Sequence, residues 1–235
     1  EVFLLRRLSC VNDDDSDNDD EKTEKSFRFE LYGPCPDCLG WILRRSMKRH
    51  QKTCCCKENS KNKNQTKSSL LVQSDIIAGN ISPLASKALV EETYAIMTND
   101  HITEVAKSDP LIVLLGNNWM LRNMGNRIMR KYYTSSTMRL NAKFKLALLK
   151  SLGNPKKDLV DLLIPSNYDL IAKAALSCCK IDEDEELGSP SNAIKLGYDV
   201  ERLISAKLAE AIKEGVKDRR KEAEQLLKLM DLDWA

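Results

Sequence analysis

Residues 35–54 read CPDCLGWILRRSMKRHQKTC. Cys35 and Cys38 are three positions apart, a spacing that lets one tight knuckle offer two thiolates to a single ion. His50 and Cys54 follow at i and i+4, which puts them on one face of a helix. Two thiolates from a knuckle, with an imidazole and a third thiolate from a helix, are the donors that Zn2+ takes in structural sites. Such donors reject Ca2+ and Mg2+. The candidate ligands are therefore Cys35, Cys38, His50 and Cys54. Eleven residues separate Cys38 from His50, one fewer than the usual dozen, and the fourth ligand is Cys rather than His. Cys55 and Cys56 stand as alternatives to Cys54, although only Cys54 keeps the i+4 helical spacing.

This spacing predicts a small ββα-like zinc finger over 29–57. So short a segment builds little core, and metal binding supplies much of its folding free energy. Trp41 and Met47 are the expected hydrophobic plug, with Tyr32 or Leu31 in front. Gly40 is the expected conformationally free residue of the knuckle. The same helix carries Arg44, Arg45, Lys48, Arg49 and Lys52. Cations on a finger helix reach phosphates or base edges, so these five are candidate nucleic-acid contacts.

The chain has 235 residues, of which 31% are charged and 42% hydrophobic, with a formal net charge of +2. That small sum conceals strong segregation. Residues 11–24 are acidic. Residues 41–67 hold nine Lys or Arg against Glu58 alone, and residues 110–157 hold ten basic residues and no acid. Within the acid-free stretch, Arg127, Arg130 and Lys131 lie close in sequence, and Arg139, Lys143 and Lys150 recur on one helical side. A field without local neutralisation attracts phosphates, which adds Arg127, Arg130, Lys131, Arg139 and Lys143 to the candidate contacts. Tyr132 and Tyr133 are placed to stack on bases or to pack beneath the basic face.

The eight cysteines are clustered rather than dispersed, which points to metal binding in a reducing compartment rather than a disulfide framework. No apolar run reaches membrane-spanning length. Two histidines in the whole chain argue against Ser-His-Asp catalysis, and no glycine-rich phosphate loop is present. His101 reads as a surface or packing residue, and the carboxylates of 182–186 as a solvated loop.

Four regions are expected: an acidic disordered tail (1–28), the finger (29–57), a flexible polar linker (58–80) and a helical domain (81–235). Helix starts are expected at Ser82-Pro83, Asp100, Asp109-Pro110, Ser136, Asn154-Pro155, Pro165-Ser166 and Ser189-Pro190. Residues 132–135 read as a turn. A final amphipathic helix is expected near 218–232, and Gly197 is a candidate bend.

Three segments taken together carry a resemblance: the finger, Thr137–Leu140 in its basic helix, and PSNAIKLGY at 190–198. In that order the chain resembles animal proteins derived from Crypton-type (tyrosine recombinase) mobile elements, over the region N-terminal to their catalytic domain. The resemblance implies that 81–235 is a core-binding-like (SAM-like) multi-helix module that clamps DNA. The family's catalytic Arg/His/Arg set and nucleophilic Tyr find no place here, so no catalytic residue is assigned and the chain is expected not to be an enzyme.

The expectation is a mainly α, nuclear, Zn2+-dependent DNA-binding protein with DNA as partner, no membrane and no small-molecule substrate. The alternatives are a protein-interaction scaffold with a structural finger, or the N-terminal half of an active tyrosine recombinase.

Overall fold

The computed structural model describes residues 31–56, 66–153, 157–179 and 190–234. The acidic tail, the Asn154-Pro155 helix start and the 182–186 loop lie outside the described residues. The chain divides into two compact units, Glu1–Asn80 and Ile81–Ala235. The architecture is mainly helical, with one two-stranded sheet beside the Cys/His cluster.

In the first unit, β1 (Tyr32–Pro34) pairs antiparallel with β2 (Trp41–Leu43), in a register that sets Tyr32 opposite Leu43 and Pro34 opposite Trp41. A single 3-10 turn over Arg44–Ser46 leads into α1 (Met47–Thr53). The linker expectation fails over 67–77. These residues form α2 (Lys67–Ile77), which begins where the Thr66 side chain accepts the Ser69 N–H at 3.2 Å. Five of its eleven residues are apolar, and of these Leu70 and Val72 are buried. Leu70 packs with Cys35, Met47 and Cys54 in the finger's core, and burial of that side holds the helix against the finger.

The second unit is built around α5 (Arg130–Leu152), a helix of 23 residues and therefore about 34 Å long. Around it pack α3 (His101–Ser108), α4 (Pro110–Arg122), α7 (Tyr168–Ser177) and α8 (Pro190–Glu214). Short α6 (Leu159–Leu162) leans on α4, and α9 (Lys217–Asp233) folds back against α8. The core includes Ile112, Met138, Phe144, Leu148, Leu159 and Leu203, all buried.

Local chemistry accounts for most boundaries. Asp100 caps α3 by accepting the Thr103 N–H at 2.9 Å. Asp109 caps α4 through the N–H groups of Leu111 and Ile112, with Pro110 at the first helical position. Gly153 ends α5 in the left-handed conformation (φ 63°), and Gly215 (φ 73°) makes the turn between α8 and α9.

Other boundaries differ from the sequence reading. The helix expected from Ser82-Pro83 does not form there; a π-helical turn spans Leu89–Thr93 and a 3-10 turn Tyr94–Ile96. Asn117 of α4 accepts the Ser86 N–H at 3.0 Å and donates to the Leu84 carbonyl at 2.8 Å. These bonds hold 84–86 out of helical pairing. The turn expected at 132–135 and the helix start expected at Ser136 are also absent, because α5 begins at Arg130 and runs through both unbroken. Arg130 and Thr134 are buried on its inner side, and this tertiary anchoring outweighs the modest helix propensity of Tyr, Thr and Ser. Gly197 does not interrupt α8.

Candidate metal centre and basic surfaces

The knuckle that offers Cys35 and Cys38 is closed by backbone bonds from Cys35 N–H to the Gly40 carbonyl (2.8 Å) and from Leu39 N–H to the Cys35 carbonyl (2.9 Å). The residue that takes the left-handed conformation is Leu39 (φ 59°), not Gly40 as the sequence suggested. A Cβ at Gly40 would meet Cys38 Sγ at 3.4 Å, at the edge of ordinary contact. From the other side, α1 presents His50, and Cys54 follows immediately at its C-cap.

The ligand atoms of Cys35, Cys38, His50 and Cys54 all lie within 4.8 Å of one another. His50 Nε2 is 3.4 Å from Cys38 Sγ. A tetrahedral ion with metal–sulfur bonds of about 2.3 Å needs its thiolates roughly 3.8 Å apart, so the four residues can hold a metal ion with little adjustment. Burial of the cluster pushes the Cys54 thiol up to about 12, reinforced by the neighbouring Cys38 and Cys35 sulfurs, and raises Cys35 as well. Burial lowers His50, against the opposing pull of Asp37. The imidazole is thereby kept neutral with a lone pair to donate, and the thiols await a cation to displace their protons.

Met47 is fully buried here, as expected of the plug, but its partner is Leu70 of α2. Trp41 and Tyr32 are half-buried and Leu31 is exposed. A second bond ties α2 to the finger: Arg44 donates to Asp75 Oδ1 at 2.6 Å, with both side chains largely buried. Close approach of the two elements also needs Gly33, where a Cβ would strike Ser74 Oγ.

The structure divides the candidate nucleic-acid residues into two kinds. On the finger, Arg45, Lys48, Arg49 and Lys52 are exposed, while Arg44 is committed to Asp75. In the helical unit, Arg127 and Lys143 are exposed, and Lys131 lies 5.2 Å over the Tyr132 ring. Arg130 is buried in a two-pronged ion pair with Glu92. Arg139 donates to both oxygens of Asp100 at 2.7 Å and to Thr103 Oγ1 at 2.5 Å.

The acid-free stretch is thus neutralised in part, contrary to the expectation of an unopposed field. The acids come from outside it, from Glu92, Asp100, Asp109 and Asp158, through tertiary packing. Sequence reasoning missed these four. Asp100 and Asp109 were read only as caps, and the available signal was that Asp109 and Asp158 directly flank the basic stretch. Tyr132 and Tyr133 are both about half exposed (51% and 50%), rather than beneath the basic face. His101 is on the surface, 3.6 Å from Glu104. Among the described residues no helix is long and apolar enough to cross a membrane. No protein-family model matches this chain, nor does any curated protein or solved structure.

Proposed function

We propose that this protein binds DNA in a zinc-dependent manner, acting in the nucleus by binding rather than catalysis, and that it descends from a Crypton-type mobile element. The observation that carries the reading is the four-ligand cluster set directly against an exposed cationic helix. Cys35, Cys38, His50 and Cys54 are gathered within 4.8 Å; the 3-10 turn before α1 exposes Arg45, and α1, which supplies His50, exposes Lys48, Arg49 and Lys52. Zinc is the favoured ion because three thiolates and one imidazole match its preference and disfavour hard cations. Arg122, Arg127, Lys143 and Lys150, all exposed, supply further phosphate contacts from the helical unit. Binding of this kind neutralises phosphates and releases counterions, with limited base readout from a single finger. The descent rests on the sequence resemblance of the finger, Thr137–Leu140 and 190–198.

The test is a DNA-binding titration across salt concentrations. The logarithm of affinity is expected to fall linearly with the logarithm of salt, and neutralising Arg45, Lys48, Arg49 and Lys52 should weaken binding to all duplex sequences alike. A flat salt response defeats the reading.

One observation favours a second reading, a protein-interaction scaffold. Leu121, Met124 and Ile128 are 61%, 62% and 76% exposed in and after the end of α4, more than a surface devoted to phosphate requires. If that reading holds, replacing these three residues removes a protein partner and leaves DNA affinity unchanged.

A further inference from the structure

The helical unit contains a cavity of about 900 Å3 between α7, α8 and the end of α9, large enough for a side chain or a short peptide. Its walls include three aromatic rings, Tyr168, Tyr198 and Trp234. Tyr168 and Trp234 meet edge to face, with centroids 6.4 Å apart and planes at 71°. Tyr198 is 58% exposed, so its ring is open to an incoming group. The arrangement depends on Gly197, where a Cβ would lie 2.8 Å from the indole nitrogen of Trp234. Any side chain at 197 would push that ring out of its place in the wall.

The charge of this cavity is opposite to that of the proposed DNA-binding surfaces. Asp169, Glu201, Asp231 and Asp233 line it, against Lys173 alone. Asp169, Glu201 and Asp231 are exposed and form no ion pair among the described residues. Burial and then the charge and hydrogen bond of Asp233 raise the Tyr168 phenol, which keeps that hydroxyl protonated. Several other acids of this unit are paired with cations of the same unit, as Asp100 is with Arg139. Here the carboxylates are left over, beside π faces. Ring faces attract cations, and carboxylates at the rim add to that attraction. A phosphate or an acidic peptide would meet like charge.

We propose that this cavity is a binding site for a lysine-rich peptide segment of a partner protein, with a lysine ammonium seated against Tyr168, Tyr198 and Trp234 and neutralised by Glu201 and Asp231. The aliphatic stem of lysine suits the apolar part of the wall, where Leu176 and Ile194 are also exposed. The site would let the protein hold a basic partner on one face while the cationic surfaces hold a polyanion. It does not rest on the DNA-binding reading, and either can fail alone.

The test uses the full chain, titrated by calorimetry with a capped peptide of alternating alanine and lysine and with the same peptide acetylated at its lysines. Saturable binding is expected, at least tenfold weaker after acetylation. A Glu201→Gln, Asp231→Asn double variant should lose at least tenfold in affinity with an unchanged circular dichroism spectrum, since both positions are exposed. Trp234→Leu should lose as much. No saturable binding, equal affinity for the acetylated peptide, or full affinity in the double variant would each overturn the proposal; the last would assign the binding to other acidic segments such as 13–24.

Discussion

Lys145 Nζ stands 2.7 Å from Asp109 Oδ2, and both side chains are almost wholly buried. Asp109 is doing two jobs. One oxygen caps α4, and the other receives Lys145 and the Leu159 N–H at 3.0 Å. One carboxylate therefore joins the start of α4, the middle of α5 and the start of α6. Removing the cation while leaving the acid strands a buried charge, which typically costs about 3–5 kcal/mol. Lys145→Met should lower stability by roughly that amount in chemical denaturation, while Lys143→Met, on the exposed side of the same helix, should change it by under about 0.5 kcal/mol.

Arg139 and Asp100 make a pH-dependent bond. The Arg139 guanidinium, with help from the Thr103 backbone and hydroxyl, holds the Asp100 carboxyl well below the usual carboxylate range. A carboxyl depressed in the folded state contributes stability that is complete above its unfolded pKa, about 3.9, and is lost as pH falls below that. Asp100→Asn should flatten the acid limb of the stability–pH curve below about pH 4, measured by thermal melts, and leave the neutral-pH slope unchanged.

The thiol cluster has the opposite sign. Cys54 is pushed up to about 12 and Cys35 is also raised, both chiefly by burial. Acids whose folded pKa is raised withdraw stability as pH climbs above the unfolded thiol value of about 8.5. The metal-free finger should therefore lose stability above that pH. Metal must displace the thiol protons, so metal affinity should rise with pH across the neutral range. Competition with a chromophoric chelator at several pH values measures this.

Leu70 makes α2 part of the metal site's support. Leu70→Ala removes a side chain packed against Cys35, Met47 and Cys54, a change that costs about 2–5 kcal/mol in a well-packed core. Because binding and folding of such a unit are coupled, the variant should bind zinc at least tenfold more weakly. An Ile76→Ala variant, exposed on the same helix, should bind as the wild type does.

The legible parts of this molecule were those set by local chemistry. The ligand spacing, the caps Asp100 and Asp109, and the start of α8 at Pro190 could be read directly because neighbours in sequence decide them. The helix at 67–77 was hidden by the polar run 57–69 that leads into it, although Leu70, Leu71, Val72, Ile76 and Ile77 are apolar; Leu70 and Val72 turn inward together with Ser74 and Asp75. The break before Lys87 was hidden because Asn117, some thirty residues on, holds it open. The pairing of Arg130 with Glu92 and of Arg139 with Asp100 was hidden for the same reason. Charge runs show where cations lie along the chain, while tertiary packing decides which of them remain available to a partner.

The central claim joins metal to DNA affinity, and one titration tests it. Metal-free protein is mixed with a fluorescent duplex at low ionic strength and zinc is added stepwise while anisotropy is read. The account predicts that DNA affinity rises and saturates at one zinc per chain, and that a Cys54→Ser, His50→Ala variant shows no such rise. A chain that takes up no zinc, or whose DNA affinity is the same with and without it, contradicts the account.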